Sequence, residues 1–350
     1  SIPYGPVVSF QVSGVRCQKI LHLLMAELQR IGKDAGCAFI RMSPFFPKEG
    51  FRFQVSGFRF RQSPLHLLAE HLWYLPLVEP DPWEEPPPPT PPPCGGEGSS
   101  PSPGRRGRGL GGGGNTRTAE EIFKNMRATN RNLIRRAEKE GVAITTSDDP
   151  LRDLPLFLAL HEETRKRHGF TPYTDAFFHA QVKHFSSPNT YNLTPKTSPR
   201  CTLYLANYKG EVIAASIHMH FAGETSYHHG ASSQKYRNIS ASYLLQWHAI
   251  QDALQRGDHV YNFWGIAPLP CNRQGIFPQG DKGISRDPLG CFSCGKIPYP
   301  ARHPFAGVTT FKTGFGGKPL SLVHCMDLPL SPMYYLTQAF EMLRKWRRGF

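Results

Sequence analysis

The sequence predicts a mixed α/β fold in which helices and antiparallel strands alternate irregularly. Two apolar-rich segments, residues 201–208 and 211–221, are separated by Lys209–Gly210, which is the pattern of an antiparallel hairpin. An amphipathic helix follows at residues 240–256, and Gly257 lies just past its end, where glycine commonly ends a helix. The element order is helix, strand, helices, antiparallel strands, helix and strand, which excludes the regular alternation of a doubly wound sheet.

Length and composition restrict the class of protein. The chain has 350 residues, which is typical of about two domains. Its formal net charge of +14 favours anionic partners such as nucleic acid, phosphorylated substrates or an anionic membrane face. The eight cysteines are spread through the chain and do not form the pattern of a secreted disulfide framework. Without an 18-residue apolar run or a signal peptide, we expect a cytoplasmic protein, at most associated with the inner face of the plasma membrane.

Residues 1–79 have the pattern of a small α/β unit. The periodic apolar residues of 18–36 predict a helix, and the apolar run 37–42 predicts a buried strand. A turn and strand are expected over residues 1–13, and a second helix over 65–74. Such a length is short for an independent core, so this region is interpreted as a partial first domain.

Two segments interrupt the pattern. Residues 80–117 are rich in proline and glycine, a composition that cannot bury enough apolar surface to fold, so we expect a disordered linker. Residues 105–112, RRGRGLGG, match both GxGxxG and the acetyl-CoA pattern RxxGxG. Neither match has a strand before it or a helix after it, so both are interpreted as chance. Residues 267–302 are similarly rich in proline and glycine and are interpreted as a loop insertion.

A second domain is expected over residues 118–350, and it opens with a long basic helix over 118–140. Thr118–Glu121 reads TAEE, which is a capping box at a helix start. Four basic residues follow at helical spacing: Lys124, Arg127, Arg131 and Arg135. Such a stripe is suited to the phosphates of a nucleic acid, and the alternative is a solvated helix face.

The rest of the second domain completes the mixed pattern. Further helices are expected over residues 154–168 and 174–184, and further strands over 142–146, 225–230 and 259–264. A last helix, residues 333–346, has an apolar face that includes Leu336, Phe340 and Leu343, followed by a basic end. Basic residues suit the negative end of the helix dipole, and contact with an anionic membrane surface is the alternative.

Two runs are interpreted as one wall of an active site: residues 303–317, HPFAGVTTFKTGFGG, and residues 261–266, YNFWGI. The first run places Lys312 between aromatic residues and close to a Gly-Gly pair. A cation there would lie in a partly buried position in the wall of the site, on a backbone that lets a ligand approach closely. The alternative is that both runs are core strands and Lys312 is a surface lysine.

The cysteines offer a competing site. Cys291 and Cys294 form a CxxC pair, with Cys271 upstream and His303 downstream. Three cysteines and one histidine are a ligand set of structural zinc, but here the spacing is loose and falls inside the insertion. We therefore expect neither a metal nor a cofactor.

Six segments resemble, in order, motifs of the FemABX family of peptidoglycan bridge-forming aminoacyltransferases. They are TNRNLIRRAEKEGV (129–142), RKRHGFTP (165–172), LANYKGEVIAASIHMHF (205–221), HHGASSQKYRNISASYLLQW (228–247), YNFWGI and HPFAGVTTFKTGFGG. They are spread over most of the range 118–317, and SIPYGPVV near the start is similar to a segment from late in the family's first domain. The resemblance implies twin GNAT-like domains, of which the first is truncated in this chain.

The same resemblance implies transfer of an amino acid from aminoacyl-tRNA to an amine on the stem peptide of a peptidoglycan precursor. The acceptor would be a nucleotide- or lipid-linked muropeptide, and both partners are polyanions, in agreement with the +14 charge. No RxxGxG follows the antiparallel strands, which agrees with a donor other than acetyl-CoA. The protein would be a monomer with peripheral contact to the inner membrane face.

By resemblance, Lys312 would be the catalytic residue, facing the tRNA acceptor end and the developing oxyanion, with Phe311 packed or stacked nearby. Further substrate contacts are expected from Tyr227, Arg237, Tyr243 and Trp264; the alternative for Tyr227 is a buried tyrosine with a bonded hydroxyl. Arg237 precedes a helix whose first backbone amides would also favour a phosphate. Two other functions remain open: an acyl-CoA-dependent N-acyltransferase of GNAT fold, and a non-catalytic tRNA-binding homologue.

Overall fold

The computed structural model describes residues 2–3, 14–43, 55, 57–65, 69–83, 115–170, 172–186, 199–268 and 305–348. They form a mixed α/β fold, which confirms the prediction. In chain order the elements are β1 (Ile2–Pro3), α1 (Gly14–Asp34), β2 (Phe39–Ser43), β3 (Arg61–Gln62), β4 (His71–Pro76), β5 (Val78–Glu79), β6 (Asn115–Thr116), α2 (Ala119–Asn125), α3 (Ala128–Lys139), β7 (Ala143–Thr146), α4 (Pro150–His168), α5 (Asp175–Ser186), β8 (Arg200–Tyr208), β9 (Glu211–Phe221), β10 (Glu224–Ser232), α6 (Ala241–Arg256), β11 (Val260–Gly265), α7 (Ala306–Thr313), β12 (Lys318–Ser321), β13 (Met326–Pro329) and α8 (Met333–Arg348).

The chain divides into two compact units. Unit 1 comprises Ser1–Trp73, Trp264–Thr313 and Lys318–Phe350, and unit 2 comprises Tyr74–Phe263 and Gly314–Gly317. The expected domains divide the chain differently, at residues 79 and 118, because two late stretches cluster with the first stretch of the chain. Hydrophobic periodicity is a local signal and carries no information about such distant pairings.

Unit 1 contains a four-stranded sheet in the order β1-β2-β13-β3. β1 runs parallel to β2, whereas β13 pairs antiparallel with both β2 and β3. Helix α1 contributes Leu21 and Met25 to a core that also contains Met42 and Leu328 from the sheet. Burial of these side chains provides the main stabilisation of this small sheet.

Unit 2 contains the strands β11-β10-β9-β8-β7 in that order. β9 pairs antiparallel with β8 and β10, whereas β10 and β11 run parallel. Leu203 and Ile217 form a core with Phe157 of α4 and Phe178 of α5. Tyr204, the neighbour of Leu203, instead bonds Asp252 of α6. Successive strand residues point to opposite faces, so α4 and α5 cover one face of the sheet and α6 covers the other.

The expected single helix over residues 118–140 is two helices, α2 and α3. The capping box of residues 118–121 is confirmed, with both reciprocal hydrogen bonds present. The helix breaks at Met126 and Arg127, where ψ is 153° and 137°. The Arg127 backbone N–H donates to the Gly314 carbonyl oxygen at 2.9 Å instead of continuing the helical ladder. A partner so far along the chain cannot be inferred from apolar periodicity.

The expected helix over residues 65–74 is also wrong, because His71–Pro76 is strand β4. Its Leu72, Trp73, Tyr74 and Leu75 are all buried, and a short run that is apolar on every side does not distinguish a buried strand from a helix. Other strands and helices from residue 142 onwards match their expected positions within a few residues.

Several expectations concern residues outside the described ranges. The disordered linker was expected over residues 80–117; its last residues form β6, which pairs with β5, while residues 84–114 lie outside the description. Most of the loop insertion expected over residues 267–302 also lies outside it, because residues 269–302 are not described. The strand expected over residues 1–13 is described at Ile2–Pro3 alone.

Candidate active site and basic groove

Lys312 lies on α7 and is buried, with 7% of its surface exposed. Its Nζ donates a hydrogen bond to the backbone carbonyl oxygen of Gly265 at 2.7 Å. Gly265 ends β11 and belongs to the run YNFWGI. The structure therefore brings the lysine and the end of that run together. The alternative of a surface lysine on a core strand is wrong.

Helix α7 is tied to the chain after β11 by Thr309. The Thr309 Oγ1 accepts the backbone N–H of Ala267 at 2.8 Å and donates to the carbonyl oxygen of Phe305 at 2.7 Å. Thr309 is fully buried. Because residues three apart share one face of a helix, the face that carries Thr309 also directs Lys312 towards this segment.

The backbone that Lys312 contacts has an unusual geometry. Trp264, just before Gly265, has a φ of 67°, a left-handed conformation that bulky residues rarely adopt. A Cβ on Gly265 would lie 2.8 Å from the Cβ of Ala69, so no larger residue fits there without movement. Such strain costs about 1–3 kcal/mol and clusters at functional sites. The geometry presents one carbonyl oxygen to one buried amine.

Burial lowers the pKa of Lys312 from 10.5 to about 7. Removal of water disfavours the ammonium form, which explains the direction of the shift. An amine with such a pKa exchanges its proton near neutral pH, or donates a hydrogen bond to an anion that forms beside it. Perturbed pKa values of this kind are characteristic of catalytic groups.

The aromatic residues that flank Lys312 in the sequence lie in different surroundings in the structure. Phe311 is half-buried on α7. Phe315 belongs to unit 2, where its buried ring stacks on Phe263 at a centroid distance of 5.3 Å and on Tyr243 at 6.0 Å. Tyr243 therefore lies beside the glycine-rich end of the run at residues 303–317.

One glycine of the Gly-Gly pair, Gly317, has a structural role. Gly317 has a φ of 101°, and a Cβ there would lie 2.2 Å from the carbonyl oxygen of Tyr74. Gly317 thus permits a close approach of the protein's own backbone.

Tyr227, on β10, is partly buried and stacks on His218 with ring centroids 5.4 Å apart. Its hydroxyl lies against Gly230. Burial raises the pKa of Tyr227 to about 12, so the phenol is neutral at physiological pH. Its contact with substrate stays a prediction.

A buried polar chain next to Tyr227 was not foreseen from the sequence. The Nε2 of His218 lies 2.8 Å from the hydroxyl of Tyr261, which donates to the Oε1 of Gln246 at 2.8 Å. Burial holds the pKa of His218 well below its usual value, so the imidazole is neutral. One feature of the sequence could have indicated this polar chain: His218 and His220 lie on one face of a largely apolar strand.

Arg237 lies in the turn before α6, and its side chain is exposed. The same turn is anchored by Lys235 and Tyr236, which bond the carboxylate of Glu211 at 2.7 and 2.9 Å. Arg237 therefore extends from a fixed turn close to the start of α6. Its role as a phosphate contact stays a prediction.

Three of the four residues of the predicted basic stripe line one groove in unit 2, of about 490 Å³. They are Lys124, Arg131 and Arg135, and the groove also contains Phe123, Trp247 and two acidic residues, Glu120 and Glu138. These two rings are 5.1 Å apart, and the Arg135 guanidinium lies 5.1 Å above Phe123. Cations combined with aromatic rings suit phosphates and unpaired bases.

Two residues of the stripe, Arg127 and Arg131, lie at or contact the break between α2 and α3. A guanidinium nitrogen of Arg131 donates to the carbonyl oxygens of Lys124, at 2.8 Å, and of Met126, which satisfies the end of α2. Arg127 is half-buried at the break and is not among the residues that line the groove. Burial raises the pKa of Tyr243, and the charge of Arg127 opposes that shift.

The competing zinc ligands, Cys271, Cys291, Cys294 and His303, lie outside the described residues. Within the described ranges, no cluster of three or more histidine, cysteine or acidic side chains is arranged to hold a metal ion. Among the helices that the structure describes, none has the length and apolar character needed to span a membrane.

Comparison with known proteins finds a matching domain family and related proteins. Residues 124–269 match the family model of an acetyltransferase (GNAT) domain. A protein of Staphylococcus epidermidis named aminoacyltransferase FemA is 20% identical in an alignment of 395 positions, gaps included, which covers 97% of this chain and 82% of that protein. Aminoacyltransferase FemB of the same species is 24% identical over 162 residues, which cover 32% of this chain and 39% of that protein.

A solved structure extends the likeness to three dimensions. The crystal structure of FemX matches with a TM-score of 0.59 at 14% identity, over 96% of this chain and 82% of that chain. At this identity the match establishes the fold.

Proposed function

This chain belongs to the FemABX family, and from that premise we propose that it transfers an amino acid from aminoacyl-tRNA to an amine on the stem peptide of a peptidoglycan precursor. Its FemA and FemB relatives are named aminoacyltransferases, and its matched domain is of the acetyltransferase type, so the chain is an acyltransferase. The proposal concerns the donor, which is aminoacyl-tRNA, and the acceptor, which is an amine on the stem peptide.

The observation that carries the proposal is the buried amine of Lys312 on the Gly265 carbonyl oxygen. Burial of a lysine amine is costly to the fold, whereas an acyl transfer needs a donor aimed at the oxyanion. Phe311 precedes Lys312 on α7, and Trp264 precedes Gly265 on β11; both aromatic side chains are partly exposed and belong to unit 1. We assign Lys312 as the catalytic residue and these two aromatic residues as substrate contacts.

The proposed reaction is aminolysis of an ester. The neutral acceptor amine attacks the carbonyl carbon of the aminoacyl ester, and an oxyanion forms. The bond to the tRNA ribose oxygen then breaks, an amide remains, and the ribose hydroxyl leaves with the proton that the amine loses. The ester is already activated, so the enzyme's contribution is positioning and charge stabilisation. The protonated form of Lys312 donates to the oxyanion.

The groove of unit 2 supports a nucleic-acid donor. Lys124, Arg131 and Arg135 provide cations, and Phe123 and Trp247 provide aromatic surface. We propose that this groove contacts the tRNA, that Arg127 reinforces the field from the helix break, and that Arg237 contacts a substrate phosphate. Tyr227 and Tyr243 are proposed as further substrate contacts.

A second candidate is an acyl-CoA-dependent N-acyltransferase, because the matched domain model is described as an acetyltransferase. The loop between β10 and α6 reads SQKYRNIS and lacks the RxxGxG pattern of acetyl-CoA sites, which favours the first candidate.

The test replaces Lys312 by methionine, which keeps the length of the side chain and removes the donor. In single-turnover assays with charged tRNA and either a nucleotide-linked or a lipid-linked muropeptide, we expect the transfer rate to fall by about 10²–10³, the range for one lost oxyanion donor.

The matched control is Lys33→Met, an exposed lysine at the end of α1 in the same unit. It removes the same charge and should transfer at the wild-type rate. Near-normal transfer by a folded Lys312→Met variant would contradict the catalytic assignment.

A further inference from the structure

The last described helix, α8, presents apolar side chains to solvent instead of to the protein. Six large residues define this outer face: Tyr335, Leu336, Phe340, Met342, Leu343 and Trp346, and each is between 50% and 79% exposed. Scattered single apolar residues are normal on a protein surface, but a continuous stripe along one helix is the mark of an interaction surface.

The opposite side of α8 carries polar groups, and it packs on the rest of unit 1. The Glu341 carboxylate accepts two hydrogen bonds from Arg41, at 2.8 and 2.6 Å, and Arg41 also binds Asp327. Tyr334 is fully buried, and its hydroxyl lies 3.3 Å from Asp327. These contacts fix the rotation of the helix about its axis, so the apolar stripe is held outward by the fold.

The charges on α8 indicate what covers the stripe. The end of the helix contains Arg344, Lys345 and Arg347, and the one acidic residue of the helix, Glu341, points inward to Arg41. Arg344 and Arg347 are exposed beside the stripe. An apolar face with flanking cations and a tryptophan near the end is complementary to the headgroup region of an anionic bilayer.

We propose that the outer face of α8 binds an anionic lipid surface, with the helix lying flat in the interface. A second copy of the chain is less suited to this face, because each copy bears a formal net charge of +14 and offers no acidic patch on α8. The inference rests on the geometry of α8 and is independent of the proposed catalytic function.

The experiment is co-sedimentation of the full chain with vesicles of phosphatidylcholine alone, or of three parts phosphatidylcholine to one part phosphatidylglycerol. We expect binding to the mixed vesicles at least about tenfold tighter than to the neutral ones, since each basic residue near the surface contributes to the attraction. The triple variant Leu336→Ser, Phe340→Ser, Leu343→Ser should weaken that binding by at least about tenfold, because it removes the inserted apolar surface.

The matched control is the triple variant Ile20→Ser, Leu23→Ser, Ile31→Ser on α1, whose side chains are 45%, 60% and 49% exposed in the same unit. It should bind vesicles like the wild type. Equal sedimentation of the α8 variant and the wild type would show attraction by overall charge alone and overturn the proposal. A dimer without vesicles, by analytical ultracentrifugation, that the α8 substitutions dissociate would also overturn it, in favour of a second copy.

Discussion

Lys312 is placed where a lysine is poorly tolerated by the fold alone. Its side chain is buried, and the hydrogen bond to the Gly265 carbonyl oxygen compensates in part for the loss of water. The pKa of Lys312, lowered to about 7, reflects the free-energy cost of burying the charged amine that remains. Residues retained at such a cost are commonly functional ones.

This cost predicts a pH dependence of stability. The pKa of Lys312 is about 7 in the folded protein against 10.5 ordinarily, so between these values the unfolded chain binds more protons. The free energy of unfolding should therefore rise with pH in this window, and the penalty is complete below pH 7. Relative to Lys312→Met, the wild type should gain about 3 kcal/mol between pH 6 and pH 9.5.

Urea unfolding of both proteins across this pH range measures the difference. The exposed-lysine variant Lys33→Met should parallel the wild type. Parallel profiles for Lys312→Met and wild type would mean that the pKa of Lys312 is not depressed in the folded protein.

The sequence grouped Lys312 with the run that contains Gly265, but it did not identify the backbone carbonyl oxygen as the partner of the amine. Flanking aromatics and glycines marked Lys312, whereas the Gly265 carbonyl oxygen is 47 residues away in the chain. The polar chain through His218, Tyr261 and Gln246 escaped prediction for the same reason, since three separate elements contribute to it. Local patterns identify unusual residues, and tertiary contacts decide what they touch.

Helices α2 and α3 carry the proposed contact with tRNA. Removing one phosphate contact should lower affinity and flatten the slope of log affinity against log salt by about 0.7–0.9. We expect this from Lys124→Gln and from Arg135→Gln, two exposed groove residues.

Filter binding of tRNA between about 50 and 200 mM salt measures this slope. The control, Lys139→Gln, removes an exposed charge from the last turn of α3 that does not line the groove. Slopes identical in all four proteins would place the tRNA contact elsewhere.

At the level of elements, prediction succeeded where the local signal was complete. Strand β9 was predicted with its correct bounds, and α6 within one residue at its start, because a tight turn and a terminal glycine mark them. The break at Met126 and Arg127 was missed because its cause, the bond from Arg127 to Gly314, joins distant parts of the chain. β4 was mistaken for a helix because it is buried on both faces.

The whole molecule combines two units, and each contains part of the proposed machinery. Unit 1 contains the buried Lys312 with Gly265, as well as the outward apolar face of α8. Unit 2 contains the basic groove and the polar chain beneath Tyr227. The net charge of +14 suits the anionic donor and acceptor that the proposal names.

The donor proposed for this protein is aminoacyl-tRNA. The most direct measurement incubates the full chain with a muropeptide precursor and either charged tRNA or acetyl-CoA, and reads the acceptor by mass spectrometry. We expect the precursor to gain one aminoacyl residue in the presence of charged tRNA, and no acetyl group from acetyl-CoA. An acetylated precursor, or tRNA binding without any transfer, would contradict the account.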